Sequence, residues 1–455
     1  MARDLAGYPY LEAEFASNGG LLTEPAATDV SSLVDRRPPT DLIMLVHGWN
    51  NTPTVARELY GELARSLRQV TPALAGRTVA LYGVLWPSSK WDWFERLTGT
   101  LDSLNALPGT ELSIRLDGLR EVFAAPEQQE RLSAARALLP DLERSRQAQR
   151  EFVALVRGLL PAREAPDTPD DDVPDELFTL SDDALAEQLT HRLPPATDRD
   201  ADLAVPADSL LRNVVGGFLE GARRLVDFVA YYEMKERAGT VGREGLARFL
   251  RTQLPGGIRV HLVGHSFGAR LVAAAAAAPG GIGARACSMA LLQGAFSHYG
   301  FASKYLPGHD GLFRSAVTSG VVTGPMLITH TRNDKLVSIA YGIASQLAGQ
   351  TGADVADVTG QAGQAGQAGQ AGQAGQDGVA ADVFGPASRY GGIGANGAQQ
   401  TPETVRGTLL AVGRPYDLRP GVPHNLLADA FIPNHSAVTG REVAHAILAG
   451  VAATA

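Results

Sequence analysis

Short, continuous apolar runs recur along the chain, each closed by glycine or a small polar cluster. Asp41-Leu-Ile-Met-Leu-Val46 is one, and it ends in His47-Gly48-Trp49-Asn50. Thr78–Trp86 (TVALYGVLW), residues 259–263, Ala286–Leu292 and Pro325–His330 (PMLITH) follow, and Leu409-Leu410-Ala411-Val412 reads as a sixth. Runs this short, apolar without alternation, predict strands buried on both faces. Behind the first run, Val55, Leu59, Leu63 and Leu67 recur at helical spacing. Thr52 caps that helix and Pro53 fits its first turn, where a missing N–H costs nothing. Strands alternating with helices predict an α/β fold: a mostly parallel central sheet with helices on both faces.

Two stretches interrupt the alternation. From 88 to 228 no buried strand is evident, but helical stripes are: Phe152, Leu155, Val156 and Leu159 in one, Leu211, Val215, Phe218, Ala222, Leu225 and Val229 in another. An acidic, proline-rich link (EAPDTPDDDVPDE, 164–176) lies between them. The whole stretch reads as a helical insertion resting on the sheet. The other interruption is GQAGQAGQAGQAGQAGQ, 360–376. It has glycine at every third position but none of the prolines a collagen helix needs, so a flexible loop is expected. The expected organisation is 1–87 core, 88–228 helical cap, 229–345 core, 346–404 flexible insertion and 405–455 core.

Composition narrows the class only a little. The chain has 455 residues, 45% hydrophobic and 20% charged, an ordinary globular balance. A formal net charge of −9 disfavours nonspecific binding to nucleic acid or anionic membranes. The single cysteine, Cys287, rules out an intrachain disulfide framework and reads as a small core residue. The N-terminus lacks a basic start followed by an apolar stretch, and no apolar run approaches the ~18 residues that span a bilayer. A cytoplasmic protein without an integral membrane segment is expected.

The third run leads directly into Gly264-His265-Ser266-Phe267-Gly268, and an alanine-rich helix follows. A serine hydroxyl is a poor nucleophile until a base takes its proton and something stabilises the oxyanion that forms. Gly-x-Ser-x-Gly at a strand-to-helix turn holds the hydroxyl out at the carboxyl edge of the sheet, while Gly264 and Gly268 let neighbouring backbone pass close. The N–H groups opening the next helix, read as starting near Ala269, point toward developing negative charge.

Four separated pieces resemble the α/β-hydrolase superfamily: LVHGWNN (45–51), LVGHSFGAR (262–270), THTRNDKLV (329–337) and PNHSAV (433–438). The resemblance covers 40–88, about 230–345 and 405–455. With VLWPS (84–88) it looks most like bacterial esterase- or lipase-type members, whereas 88–228 matches none of the pattern. The superfamily order of nucleophile, acid and histidine implies Ser266, Asp334 and His435. On the residues alone the alternative for Asp334 is a surface turn aspartate capping a helix from Lys335, and Asp310 is the leading rival acid. His435 competes with His424, and is preferred because the family places its base just before the last helix (Arg441–Ala453). Histidine suits proton transfer because its ordinary pKa lies near neutrality.

The resemblance implies an oxyanion hole from the backbone N–H groups of Trp49 and Phe267. Gly48 would permit the loop's turn, His47 would brace it, and His265 would pack beside the nucleophile. His298 and Tyr299, after the fourth run, are candidates to line a pocket. Tyr231-Tyr232-Glu233-Met234, where the insertion returns to the sheet, reads first as helix packing and second as pocket. The ten histidines are scattered, with neither HExxH nor paired cysteines and no phosphate-binding glycine loop, so no metal or cofactor is expected. The expected activity is a serine hydrolase cleaving a carboxylic ester, with a small-molecule or lipid-like substrate and a protein partner on the cap left open. Rival readings are an amidase, peptidase or thioesterase with the same triad, or a non-enzymatic binding or signalling module.

Overall fold

A computed structural model describes residues 3–22, 30, 38–70, 74, 76–88, 108–161, 176–190, 217–283, 286–306, 308–334 and 391–454. Its centre is a nine-stranded sheet: β1 (Arg3–Leu5), β2 (Tyr8–Glu14), β3 (Asp41–Val46), β4 (Val79–Leu85), β5 (Arg259–His265), β6 (Ala286–Leu292), β7 (Met326–His330), β8 (Val405–Thr408) and β9 (Pro423–Leu427). The order across it is β1-β2-β4-β3-β5-β6-β7-β9-β8. Only the β1–β2 pair is antiparallel; every other pairing is parallel. This is an α/β fold with a mostly parallel sheet, and all six residues of β3 are buried, as a strand covered on both faces requires.

Two helices cover one face: α1 (Pro53–Val70) and, near the end of the chain, Arg441–Ala452. The α1 helix opens as its sequence dictates, with Thr52 Oγ1 accepting from Val55 N–H at 3.3 Å. A larger helical body covers the other face. It includes α2 (Pro108–Val122), α3 (Pro126–Ala137), α4 (Arg146–Arg157), α5 (Asp182–Thr190), α6 (Phe218–Thr240) and, after β5, α7 (Phe267–Ala277). Small residues let these elements touch: a Cβ on Gly221 of α6 would lie 2.0 Å from Leu189 O of α5. The π-turn Val241–Leu246 continues α6 and packs equally tightly, for a Cβ on Gly242 would meet Leu271 O of α7 at 2.3 Å. The Arg441–Ala452 helix, α8, completes the described helices that matter below.

The described part of 88–228 is helical, and α6 runs through residue 228 without a break. Leu211 and Val215, most of the acidic link, the 360–376 repeat and the rest of 335–390 lie outside the described residues. Leu409–Val412 is not a strand. The ladder ends when Leu409 N–H donates to Leu427 O at 2.9 Å, and Leu410 N–H then turns to the Tyr416 hydroxyl at 2.8 Å. The strands there are β8, just before that run, and β9. The latter hid its strand character behind polar residues satisfied internally: Asn425 exchanges two hydrogen bonds of 2.9 Å with the Ala398 backbone. Both N-terminal strands also escape the apolar pattern, since β2 (YPYLEAE) alternates and contains proline. Among the described residues, no helix is long and apolar enough to cross a membrane.

Candidate active site

Because β3 to β7 and β9 are parallel, their carboxyl ends open onto one rim, and the loops leaving them bring polar side chains together. Ser266 sits between the end of β5 and the start of α7, which begins at Phe267 rather than near Ala269. Its backbone has φ 57° and ψ −122°, a region that non-glycine residues occupy only when their surroundings compel it. The compulsion is visible in the glycines: a Cβ on Gly264 would meet Gly268 O at 2.3 Å, and one on Gly268 would meet Val46 O at 2.2 Å. Ser266 N–H donates to Leu292 O at 3.0 Å and its carbonyl accepts from Ala295 N–H at 3.2 Å, fixing the turn against the end of β6.

From this turn the Ser266 hydroxyl reaches His435 Nε2 at 2.9 Å, and His435 Nδ1 reaches Asp334 Oδ2 at 2.8 Å. These side chains come from positions 169 and 101 residues apart in sequence, yet they form one unbroken chain. With Asp334 ionised and accepting from Nδ1–H, Nε2 is left as the acceptor for the serine proton. All three are buried; Asp334 is fully enclosed.

The loops carrying the acid and the imidazole are stitched to each other. Asn333 Nδ2 donates to Asp429 O and Ile432 O, both at 3.2 Å. The Asp429 carboxylate accepts from Thr331 Oγ1 at 2.9 Å and from Arg332 Nε at 2.7 Å. Gln293, which leaves β6 with φ 46°, donates from Nε2 to Asp334 Oδ2 at 3.2 Å and to Gly394 O at 2.9 Å. His265 donates from Nε2 to the backbone carbonyl of His435 at 3.0 Å. Burial, then the neighbouring His435 ring, pushes the His265 pKa down to about 3, so it stays a neutral donor. It therefore holds the 435 loop by a hydrogen bond as well as packing beside the serine.

The loop after β3 lies against the serine, since a Cβ on Gly48 would stand 2.7 Å from Ser266 Cβ. His47 Nδ1 donates to Gly48 O at 2.9 Å, and its Nε2 accepts from Trp86 N–H at 3.3 Å. Burial depresses the His47 pKa to about 4, in keeping with one protonated and one free ring nitrogen. Phe267, as the first residue of α7, has no carbonyl one turn back for its N–H. The Trp49 and Phe267 rings lie 5.9 Å apart, and Tyr231 of α6 packs against both, edge-on to Trp49 at 6.5 Å and tilted to Phe267 at 5.0 Å.

The rival acid and the rival base are engaged with other partners. Asp310 is a turn aspartate whose Oδ1 accepts from Lys304 N–H at 2.8 Å. His424 is within β9, its Nε2 accepting from Arg419 N–H at 3.0 Å. His298 is fully buried against the 391–399 segment, with Nδ1 3.1 Å from Asn396 Nδ2, and its ring packs on Tyr299. Gln293 carried no sequence signal, being one polar residue after an apolar strand. Asn51 and Ser88 stood within HGWNN and VLWPS, and their hydrogen bonds to the 48–51 loop give those motifs a local purpose. No protein-family model, no curated protein and no solved structure matches this chain.

Proposed function

We propose that this chain is a serine hydrolase built on the α/β-hydrolase plan, acting on a carboxylic ester through an acyl-enzyme. The observation that carries the reading is the continuous Ser266–His435–Asp334 hydrogen-bond chain, with the serine held at positive φ between two glycines that tolerate no Cβ.

In this reading Ser266 Oγ attacks the ester carbonyl carbon as its proton passes to His435 Nε2. Asp334 keeps the imidazole in the tautomer that can accept that proton, and stabilises the imidazolium once it forms. The carbonyl oxygen, now an oxyanion, takes hydrogen bonds from the Phe267 and Trp49 N–H groups and stands at the start of α7. Collapse of the tetrahedral species breaks the ester C–O bond, and the departing alcohol oxygen takes the proton back from His435. Water then repeats the sequence on the acyl-enzyme and frees the acid.

The aromatic rings of Trp49, Phe267 and Tyr231, with Phe228 packed on Tyr231, favour an apolar acyl group over a charged one. The decisive experiment is labelling with a fluorophosphonate probe, wild type beside Ser266→Ala, followed by peptide mapping. Modification of Ser266 alone, with turnover of p-nitrophenyl esters, is expected. An unlabelled wild type overturns the reading, and labelling with turnover only of acyl-CoA thioesters or peptide anilides moves the substrate class.

A further inference from the structure

An oxyanion donor works only if its peptide plane is held. The Gly48–Trp49 peptide is trans, so its carbonyl and the Trp49 N–H point in opposite directions, and whatever fixes one fixes the other. A flipped plane would present the carbonyl oxygen to the developing negative charge instead of the N–H.

Two donors hold that carbonyl. One is His47 Nδ1, at 2.9 Å. The other is Asn51 Nδ2, at 3.1 Å, and the same amide nitrogen lies 3.1 Å from Trp49 O. Asn51 is itself clamped: its N–H donates to Ser88 Oγ at 3.3 Å, and the Ser88 hydroxyl donates to Asn51 O at 2.9 Å. Asn50, at φ 65°, donates its N–H to Ser88 O at 3.1 Å. The residue before Ser88 is bound from outside the sheet. Arg237 of α6 gives Nη1 to Pro87 O and Nη2 to Val122 O at the end of α2, both at 3.1 Å, and is paired with Glu233 at 3.2 Å.

We propose that Asn51 is a positioning residue for the oxyanion donor, holding the Gly48–Trp49 peptide plane, and that Arg237 ties that plane to the seating of helices α2 and α6. This rests on the serine hydrolase reading. With the Pro87–Ser88 peptide as its one covalent step, a path of hydrogen bonds runs from a helix end in the insertion to the loop that carries Trp49 N–H. Substrate chemistry is thereby made dependent on how those helices sit, and the dependence acts on the transition state, where the oxyanion exists, rather than on ground-state binding.

The test compares wild type, Asn51→Asp and Arg237→Gln in fluorophosphonate labelling rate, ester kcat and KM, and affinity for a trifluoromethyl ketone, which mimics the tetrahedral oxyanion. Asn51→Asp keeps the side chain's shape and replaces the donor by an acceptor. It is expected to lower kcat, labelling rate and ketone affinity together, by about 10- to 100-fold, part of the ~10²–10³ that loss of a whole donor costs, with KM within about twofold. Arg237→Gln is expected to show the same signature at about 3- to 10-fold, and carries the test alone if Asn51→Asp does not fold. A variant that folds and labels at the wild-type rate, beside a labelled wild type, overturns this inference alone. An unlabelled wild type overturns the hydrolase reading and this inference with it.

Discussion

Among the described residues the sheet holds two Ser–His–Asp constellations, one at each end of its strands, and the backbone beneath them differs. At the carboxyl edge stand Ser266, His435 and Asp334. At the amino edge Ser288 Oγ lies 2.8 Å from His261 Nδ1, and His261 Nε2 lies 3.0 Å from Asp41 Oδ1. Burial does not separate them, since Ser266 and Ser288 are each 6% exposed. The backbone does. Ser288 sits in the extended strand β6, paired opposite His261, and not at a positive-φ turn that opens a helix.

The carboxylates differ as well. Burial by itself would raise the Asp41 pKa, but hydrogen bonds from Arg77, His261, Arg259 and Thr40 outweigh it and hold the carboxyl far below its ordinary range. Burial also pushes His261 down, and the two arginines add to that despite Asp41, so this imidazole resists taking a proton. The amino-edge trio is a clasp across β3, β5 and β6. Arg77 extends it to β4 and, through Thr454 O at 3.1 Å, to the residues after α8. Side chains of the same types are hydrogen-bonded at both places; the positive-φ turn into a helix belongs to Ser266 and not to Ser288.

That contrast can be broken from either side. The largest expected effect is Ser266→Ala, which should cost about 10⁴–10⁶ in kcat toward an ester and abolish probe labelling while leaving the thermal midpoint near wild type. Next, Asp334→Asn should lower kcat by roughly 10⁴ by favouring the wrong His435 tautomer, measured in the same assay.

At the other edge Asp41→Asn should instead lower folding stability by about 3–5 kcal/mol in denaturant titrations, because Arg77, Arg259 and His261 lose a shared buried anion. The sign with pH follows from both groups. Asp41 and His261 each bind protons more readily when unfolded, so the wild-type clasp stabilises fully above the ordinary histidine value and weakens on acidification. Below roughly pH 4, where Asp41 protonation dominates, the wild type should lose stability more steeply than Asp41→Asn. The smallest effect belongs to Ser288→Ala, about 1 kcal/mol or less in stability, with labelling unchanged. Labelling that fell with Ser288→Ala would erase the distinction between the edges.

The same contrast explains what could be read from the residues. Uninterrupted apolar runs gave away β3 to β7, and Gly-x-Ser-x-Gly gave away the turn, because a backbone constraint leaves a mark in residue type. Asp334 and His435 came from their order and from a resemblance, and their hydrogen-bonding distance from each other depends on the Asn333 and Asp429 bonds between two loops, which no periodicity encodes. Strand β9 escaped because His424 and Asn425 are buried but satisfied by the backbone of other segments. The amino-edge clasp was invisible for the same reason, as Asp41, His261 and Ser288 read singly as ordinary strand residues.

The positive φ at Ser266 carries a further consequence for anyone who evolves this chain toward heat resistance. A serine held there costs on the order of 1–3 kcal/mol of backbone strain, most of which glycine would relieve. Selection on thermal endurance alone would therefore reward Ser266→Gly and quietly delete the hydroxyl. Any such campaign needs a turnover screen run in parallel, with codon 266 held fixed.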